Sequence, residues 1–158
     1  MSDVDSAQFR QLCGRYATGV VVITAVAGDG SPAGMTANSF TSVSLDPPLV
    51  SVNVDHASEF HELISRADTF AINVLETNQE ALSRRFAGPA RQRFDGVGYR
   101  RTEGGRIVLG GVIAALECER HALFDAGDHT VVVGRVVGGS VHDGRPLLYF
   151  RGGYHYLA

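Results

Sequence analysis

The sequence predicts a mainly β protein, an antiparallel barrel carrying a few short helices, and three observations support this. Apolar, β-branched runs too short for buried helices recur along the chain, the clearest being GVVVITAVA from Gly19 to Ala27. Turn signals separate these runs: Gly28-Asp29-Gly30-Ser31, Asp125-Ala126-Gly127-Asp128 and His142-Asp143-Gly144-Arg145-Pro146. Helical periodicity is confined to short stretches, so strands follow one another through hairpins rather than through the helical crossovers of a βαβ sheet.

Taken in order, Phe9, Leu12, Cys13 and Tyr16 recur at i, i+3, i+4 and i+7 and predict a first helix, with Gly19 as its C-terminal cap. Gly19 to Ala27 then forms a central strand. After the Gly28–Ser31 hairpin a second strand covers Ala33 to about Ser39. Val43 to Leu45 leads to Asp46-Pro47-Pro48, where pairing is expected to stop because proline has no N–H. Leu49 to Val54 is the next strand. Ser58 caps a helix running to about Arg66, with Phe60, Leu63 and Ile64 inward, and Phe70 to Leu75 returns as a strand. Thr77-Asn78-Gln79-Glu80 reads as a capping box for a helix with Ala81, Leu82 and Phe86 on one face, ended by Gly88-Pro89. Ala90 to Gly105 is rich in Arg and Gly without periodicity, and reads as a long surface loop. Strands over Gly111–Phe124, His129–Gly139 and Leu147–Tyr156 complete the chain.

At 158 residues the chain is expected to form one domain, 1–158, large enough to bury a core. A composition of 44% hydrophobic and 20% charged residues is that of a globular protein. A formal charge of −3 argues against nucleic acid as a partner, since phosphate neutralisation needs clustered positive charge. Every basic residue is an arginine. The lack of lysine excludes a lysine Schiff base and a P-loop lysine, and leaves any anionic ligand to backbone amides, hydroxyls and guanidinium forks. Cys13 and Cys118 have neither metal nor redox spacing and read as half-buried free thiols of a reducing compartment. The N-terminal MSDVDSAQFRQL is acidic and polar, unlike a signal peptide, and no apolar run approaches the roughly 20 residues of a membrane span. The expectation is a cytoplasmic protein with no membrane partner.

The most unusual local feature is Thr36-Ala37-Asn38-Ser39-Phe40-Thr41-Ser42, a polar run between apolar strand segments. Its hydroxyls and amide suit the edge of a heteroaromatic ring or phosphate oxygens; they equally suit a solvent-facing edge strand. Ser58 opens a helix whose free N–H groups attract phosphate, although a serine there also simply caps. Arg84, Arg85, Arg91 and Arg93 could meet a phosphate tail or face water. Gly104-Gly105 and Gly110-Gly111 do not make GxGxxG between strand and helix, which excludes a Rossmann site. There is no HExxH, no convincing histidine ligand set and no GxSxG elbow, so neither a metal centre nor a serine hydrolase is expected. Glu117 and Glu119 flank Cys118 on the polar face of a strand. His129, at a strand entrance after Gly127-Asp128, is either a surface residue or a hydrogen-bonding group at a barrel mouth.

Taken together these residues resemble the short-chain flavin reductase family, the reductase components of two-component flavin-dependent monooxygenases. The resemblance runs through Thr18-Gly19-Val20-Val21-Val22-Ile23-Thr24, Gly34-Met35-Thr36-Ala37-Asn38-Ser39-Phe40 and Ser42-Val43-Ser44-Leu45-Asp46-Pro47-Pro48-Leu49. It continues through Asn73-Val74-Leu75, Phe86-Ala87, Gly127-Asp128-His129 and Val133-Gly134-Arg135-Val136 to Leu147-Leu148-Tyr149 and Gly153-Tyr154. It implies an FMN-binding split β-barrel of Greek-key type and a homodimer with flavin sites near the subunit interface. It also implies reduction of FMN or FAD by NADH or NADPH, with reduced flavin passing by diffusion to a partner monooxygenase. Carried over by position, Thr36, Ala37, Asn38, Ser39, Thr41 and Ser42 would contact the flavin ring and its side chain. Asn53, Val54, Asp55, Ser58 and Phe60 would hold the ribityl and phosphate groups, with Phe86 and Ala87 packing nearby. His129 and Arg151, Gly152, Gly153 and Tyr154 would approach the nicotinamide, His129 as the catalytic residue. Two positions depart from the family pattern: Arg93-Phe94 stands where Lys-Phe is usual, and Ala17 precedes Thr18 where proline is common. Two other readings remain: a flavoprotein or non-enzymatic module of the same fold that retains FMN, and a β-barrel dimer in which the polar run is only an edge strand.

Overall fold

The computed structural model describes residues 3–158. Helix α1 (Ser6–Cys13) precedes the short strand β1 (Thr18–Gly19) and strands β2 (Val21–Val26), β3 (Pro32–Ala37), β4 (Thr41–Leu45) and β5 (Pro48–Asp55). Helix α2 (Glu59–Arg66), strand β6 (Thr69–Val74) and helix α3 (Glu80–Phe86) follow. Strands β7 (Tyr99–Arg101), β8 (Ile107–Leu109), β9 (Ala114–Ala126), β10 (His129–Val141), β11 (Leu147–Phe150) and β12 (Gly153–Tyr156) complete the order.

Seven strands pair antiparallel in the order β3-β2-β6-β9-β10-β5-β4. The first and last are consecutive in sequence, joined only by Asn38-Ser39-Phe40. A flat seven-stranded sheet would separate its edges by about 29 Å. The four residue steps from Ala37 to Thr41 reach at most about 14 Å. The sheet therefore curls until its edges meet, and because β3 and β4 do not pair, the barrel stays split along that seam. Ser39 spans the seam, its hydroxyl accepting the Asn53 N–H at 2.9 Å. This is the antiparallel β architecture that the strand pattern predicts, split as the family resemblance implies.

The apolar run of β2 is continuous because both faces of the strand are buried. Val21, Ile23 and Ala25 enter one cluster with Val52, Phe70 and Ile72, closed by Phe60 and Ile64 of α2. Val20 and Val22 enter a second cluster with Leu75, Phe86 and Leu109. A hydrogen-bonded polar group joins the two: Asn73 donates to Val22 O and Thr24 Oγ1 (both 3.1 Å) and accepts Leu109 N–H at 2.9 Å, while Thr24 donates to Ile107 O at 2.6 Å. The β7–β8 hairpin is thereby fixed to the barrel wall. Gly134 lets Phe70 lie flat on β10, since a Cβ there would come within 2.5 Å of the Phe70 ring.

Several expectations need correction. Helix α1 is capped by Asp5 and ends at Gly14 rather than Gly19, so that Tyr16 lies beyond it, and Phe9, Leu12 and Tyr16 are all exposed. Pairing does not stop at the prolines: the chain reverses over Leu45–Pro48 with a cis Asp46–Pro47 bond, and Pro48 pairs with Leu45 as the first residue of β5. The capping box lies one residue earlier than the sequence suggests, Glu76 accepting from Asn78 N–H and Gln79 bonding back to Glu76 N–H. Ser83, not Ala81, faces inward from α3. The segment 90–105 is not a plain loop, since it contains a 3-10 turn at Ala90–Gln92 and the whole of β7. The final strand is two strands, broken at Arg151-Gly152, where consecutive positive φ values of 54° and 77° make a tight hairpin turn. Cys13 is exposed and Cys118 buried, rather than both half-buried.

Candidate active site

The C-terminal half of β3 and the seam beyond it form the walls between three adjoining concavities. One, of about 590 Å³, is lined by Thr36–Ser39 of that segment, Asn53 and Asp55 of β5, and His129 of β10, with Phe9 of α1 beside them. A second, of about 210 Å³, lies between Thr36–Asn38, Ala87 and the two tyrosines Tyr149 and Tyr154. A third, of about 510 Å³, runs from Tyr16–Val21 past Asn38, Ser39 and Thr41 to Asn53. Asn38 is common to all three. The polar run thus spans the two edge strands and their link, with Asn38, Thr41 and Ser42 exposed, and its Thr36–Thr41 portion lines the concave surface.

His129 owes its place to the Gly127-Asp128 turn, which starts β10 opposite Asp55 of β5. The backbone bond from His56 N–H to Asp128 O (2.9 Å) ties this turn to the end of β5. His129 Nδ1 lies 2.7 Å from Asp128 Oδ1. An ionised carboxylate only accepts, so Nδ1 carries the hydrogen and Nε2 is left for the cavity. The same bond holds the Asp128 carboxyl below its ordinary value, with the charge of His129 adding to the effect.

Tyr154 is positioned by α3. Its hydroxyl lies 2.7 Å from Ser83 Oγ, the Arg84 guanidinium sits 4.9 Å above its ring, and Ser83 O accepts the Thr36 hydroxyl at 2.6 Å. One helix turn thus sets both walls of the smaller slot. Gly34 is required here because a Cβ would meet Phe86 at 2.9 Å and Ile23 O at 3.0 Å.

The expected site residues separate into three groups. Thr36, Ala37, Asn38, Ser39, Thr41, Asn53, Asp55, Ala87, His129 and Tyr154 converge on the three concavities. Val54, Phe60 and Phe86 are buried in the two cores behind them, and Ser42, Ser58 and Gly153 line none of the three. Ser58 Oγ caps α2 by accepting Phe60 N–H at 3.2 Å and donates to Met35 Sδ, also at 3.2 Å. Arg151 and Gly152 line a separate cleft at the tip of the hairpin. Arg85 and Arg93 bind backbone carbonyls and Arg84 binds Glu80, so these three are structural ties.

Sequence reading missed four residues. Ser83 could have been found from helical phase, since it lies one turn before Phe86. Val20 and Tyr149 line the slot but look like ordinary strand residues. Thr18 carries a buried hydroxyl without a hydrogen-bond partner, in the lining of the third concavity. No local signal marks it. An orphaned hydroxyl beside two asparagines offers hydrogen bonds to a polar ring edge, and the tyrosine-lined slot offers a stacking surface next to it. The residues present fit a flavin beside a nicotinamide.

Comparison with known proteins gives the same direction. The family model described as a flavin reductase like domain matches residues 13–158. The chain is 44% identical over 150 residues to the FMN reductase (NADH) SmoA of Agrobacterium fabrum, covering 95% of this chain and 85% of that one. It is 36% identical over 152 residues to HsaB of Rhodococcus jostii, the reductase subunit of a flavin-dependent monooxygenase, covering 96% and 77%. The NADH:FAD oxidoreductase SgcE6 of Streptomyces globisporus, solved with NAD and FAD fragments, superposes with a TM-score of 0.92 at 39% identity, over 100% of this chain and 98% of that one.

Proposed function

The chain belongs to the flavin reductase-like domain family, and we propose that the concavities along its seam are where it carries out the reduction of FMN or FAD by NADH or NADPH. It is an NAD(P)H-dependent flavin reductase, the reductase component that supplies reduced flavin to a flavin-dependent monooxygenase. The observation that carries the assignment to this surface is the partition by Thr36–Asn38: the same residues line the wide cavity on one side and the Tyr149–Tyr154 slot on the other.

Hydride transfer from nicotinamide C4 to flavin N5 is chemistry that the two cofactors supply when bound. The chain's part is to position them. Asn38, Ser39, Asn53 and the unpaired hydroxyl of Thr18 offer hydrogen bonds around a flavin ring edge. Tyr154, held by Ser83 and Arg84, provides a fixed wall for a second ring. His129 presents Nε2 to the wide cavity, its orientation set by Asp128. No acid–base pair is needed.

We further read residues 1–158 as one domain that acts as a homodimer in the cytoplasm and releases reduced flavin by diffusion. Exposed apolar side chains at Leu45, Val141 and Tyr16, and Phe9 beside the cavity, support a covering subunit. Two unpaired cysteines suit a reducing compartment.

The test is NAD(P)H oxidation by the purified protein with FMN, FAD or neither. Rapid turnover only with added flavin is expected; a retained yellow cofactor without turnover would instead identify an electron-carrying flavoprotein. His129→Ala should keep flavin affinity and lower kcat by about one to two orders of magnitude, as for a lost positioning contact. Unchanged steady-state kinetics would remove His129 from the mechanism.

A further inference from the structure

The chain's fixed positive charge rests on fourteen arginines. Seven of them are tied within the chain, among them Arg66 to Glu62, Arg84 to Glu80 and Arg120 to Asp68. Three of the others gather in one place. Arg10, Arg15 and Arg151 line a cleft of about 400 Å³ with Gln11, Gly14 and Gly152. No carboxylate lines it, and among the described residues none of the three guanidiniums makes an ion pair.

The arrangement is constructed rather than incidental. Arg151 N–H donates to Gly14 O at 2.9 Å, pinning the tip of the β11–β12 hairpin to the end of α1. Gly14 fits closely at the end of α1, where a Cβ would stand 2.8 Å from Arg10 O and in ordinary contact, 3.6 Å, with Arg151 Cα. Arg151 is the one described non-glycine residue with positive φ, at 54°. Glycine would adopt that conformation without strain, so the position keeps a guanidinium against its backbone preference. The partial charge of about −0.5 at the C-terminal end of α1 favours cations beside it but does not balance three guanidiniums. Three like charges brought together without a counter-charge await an anion.

The hairpin also locates that anion. Its tip lines the arginine cleft, and its body carries Tyr149 and Tyr154 of the slot beside Asn38. From Gly152 to Tyr154 is two strand steps, about 7 Å. A ribose linking a ring to its phosphate has a similar reach. We propose that the cleft binds a phosphate group of a nucleotide whose ring lies in the Tyr149–Tyr154 slot. The ring's position rests on the flavin reductase reading; the phosphate subsite is additional to it. Nicotinamide dinucleotides and flavin nucleotides share this phosphate chemistry, and kinetics separates them.

The test compares the wild type with the triple variant Arg10→Gln/Arg15→Gln/Arg151→Gln and with a charge-matched control, Arg100→Gln/Arg135→Gln/Arg145→Gln. The first triple variant should raise KM for the phosphate-bearing substrate about a hundredfold, with kcat little changed, while the control stays within about twofold. A rise in KM for NADH or NADPH with riboflavin as acceptor assigns the cleft to the nicotinamide dinucleotide. A rise for FMN or FAD but not for riboflavin assigns it to the flavin. Inorganic pyrophosphate gives a readout independent of turnover: it should raise Tm in the wild type and control but not in the first triple variant. If the wild type oxidises no NAD(P)H with any flavin, the reductase reading fails, and the pyrophosphate shift still decides the cleft. Unchanged KM values with an unchanged pyrophosphate shift overturn the proposal. So does loss of dimerisation with both readouts intact, since the arginines would then serve a subunit contact.

Discussion

Cys118 and Cys13 show how one residue type takes opposite properties from its surroundings. Cys118 is buried against Phe70 and Gly134, and burial pushes its thiol up to about 12. Cys13 ends α1 in solvent. A thiolate-specific reagent near pH 8 should therefore modify one sulfur in the native protein and two after denaturation, and peptide mapping should find the first on Cys13. Rapid native modification of Cys118 would show that β9 and β10 open locally. The sequence left these two thiols alike because exposure is a tertiary property. Ser58 was legible, since capping is local chemistry, and its hydroxyl does accept Phe60 N–H. Thr18 was not legible: its hydroxyl matters only because β1 pairs with β11 and leaves it buried without a partner.

Asn73 carries more of the architecture than its place in an apolar strand suggests. It bonds to both Val22 and Leu109 backbone groups and to Thr24, in a fully buried position. Asn73→Ala would strand the buried Leu109 N–H and remove the side-chain donor to Val22 O and Thr24 Oγ1, and should cost about 2–4 kcal/mol in chemical denaturation. Asn73→Asp should cost at least as much, because it removes the donor and buries a carboxyl. The β7–β8 hairpin that Asn73 holds was read as loop, because Tyr99-Arg100-Arg101 is exposed and has no apolar alternation. By contrast β2, the Gly28–Ser31 hairpin and α2 were legible, since each is specified by its own residues. At α3 the phase was shifted by one residue because Glu76 and Thr77 can both cap.

The contact between α3 and β12 also sets a pH window. Tyr156 donates to Glu80 Oε2 at 2.6 Å, and this bond lowers the Glu80 carboxyl from 4.5 and raises the Tyr156 phenol from 10.0. A depressed carboxyl contributes stability above its unfolded value that is lost as pH falls through the folded one. A raised phenol contributes stability below its unfolded value that is lost as pH rises through the folded one. The contribution is therefore present between about pH 4.5 and 10, and Tyr156→Phe should lower stability inside that window only. The two proteins should converge in stability as pH falls from 4.5 through the lowered Glu80 value. A difference that stays constant throughout acid titration would mean that the phenol acts by packing instead.

For the molecule as a whole, the split barrel follows from one topological fact, the three-residue link between its outermost strands. The curled sheet leaves several apolar side chains outside. Leu45 is 97% exposed at the tip of the β4–β5 hairpin, Val141 is 86% exposed at the end of β10, and α1 buries none of its apolar residues. A monomer in water gains nothing from these side chains, and a covering second subunit would explain all three. The periodicity of α1 was legible in sequence, but its exposure was not, because whether an apolar face is covered is a tertiary property. Sedimentation should give twice the 16.9 kDa chain mass. Introducing a charge by Leu45→Glu or Leu12→Glu should shift the equilibrium toward monomer by about tenfold or more if the position is central to the contact. Because Phe9 of α1 lines the wide cavity, dissociation through the α1 face should weaken flavin binding in parallel. A variant that becomes monomeric yet binds flavin with wild-type affinity would place the complete site within one subunit, leaving the exposed face of α1 with a purely structural part in assembly.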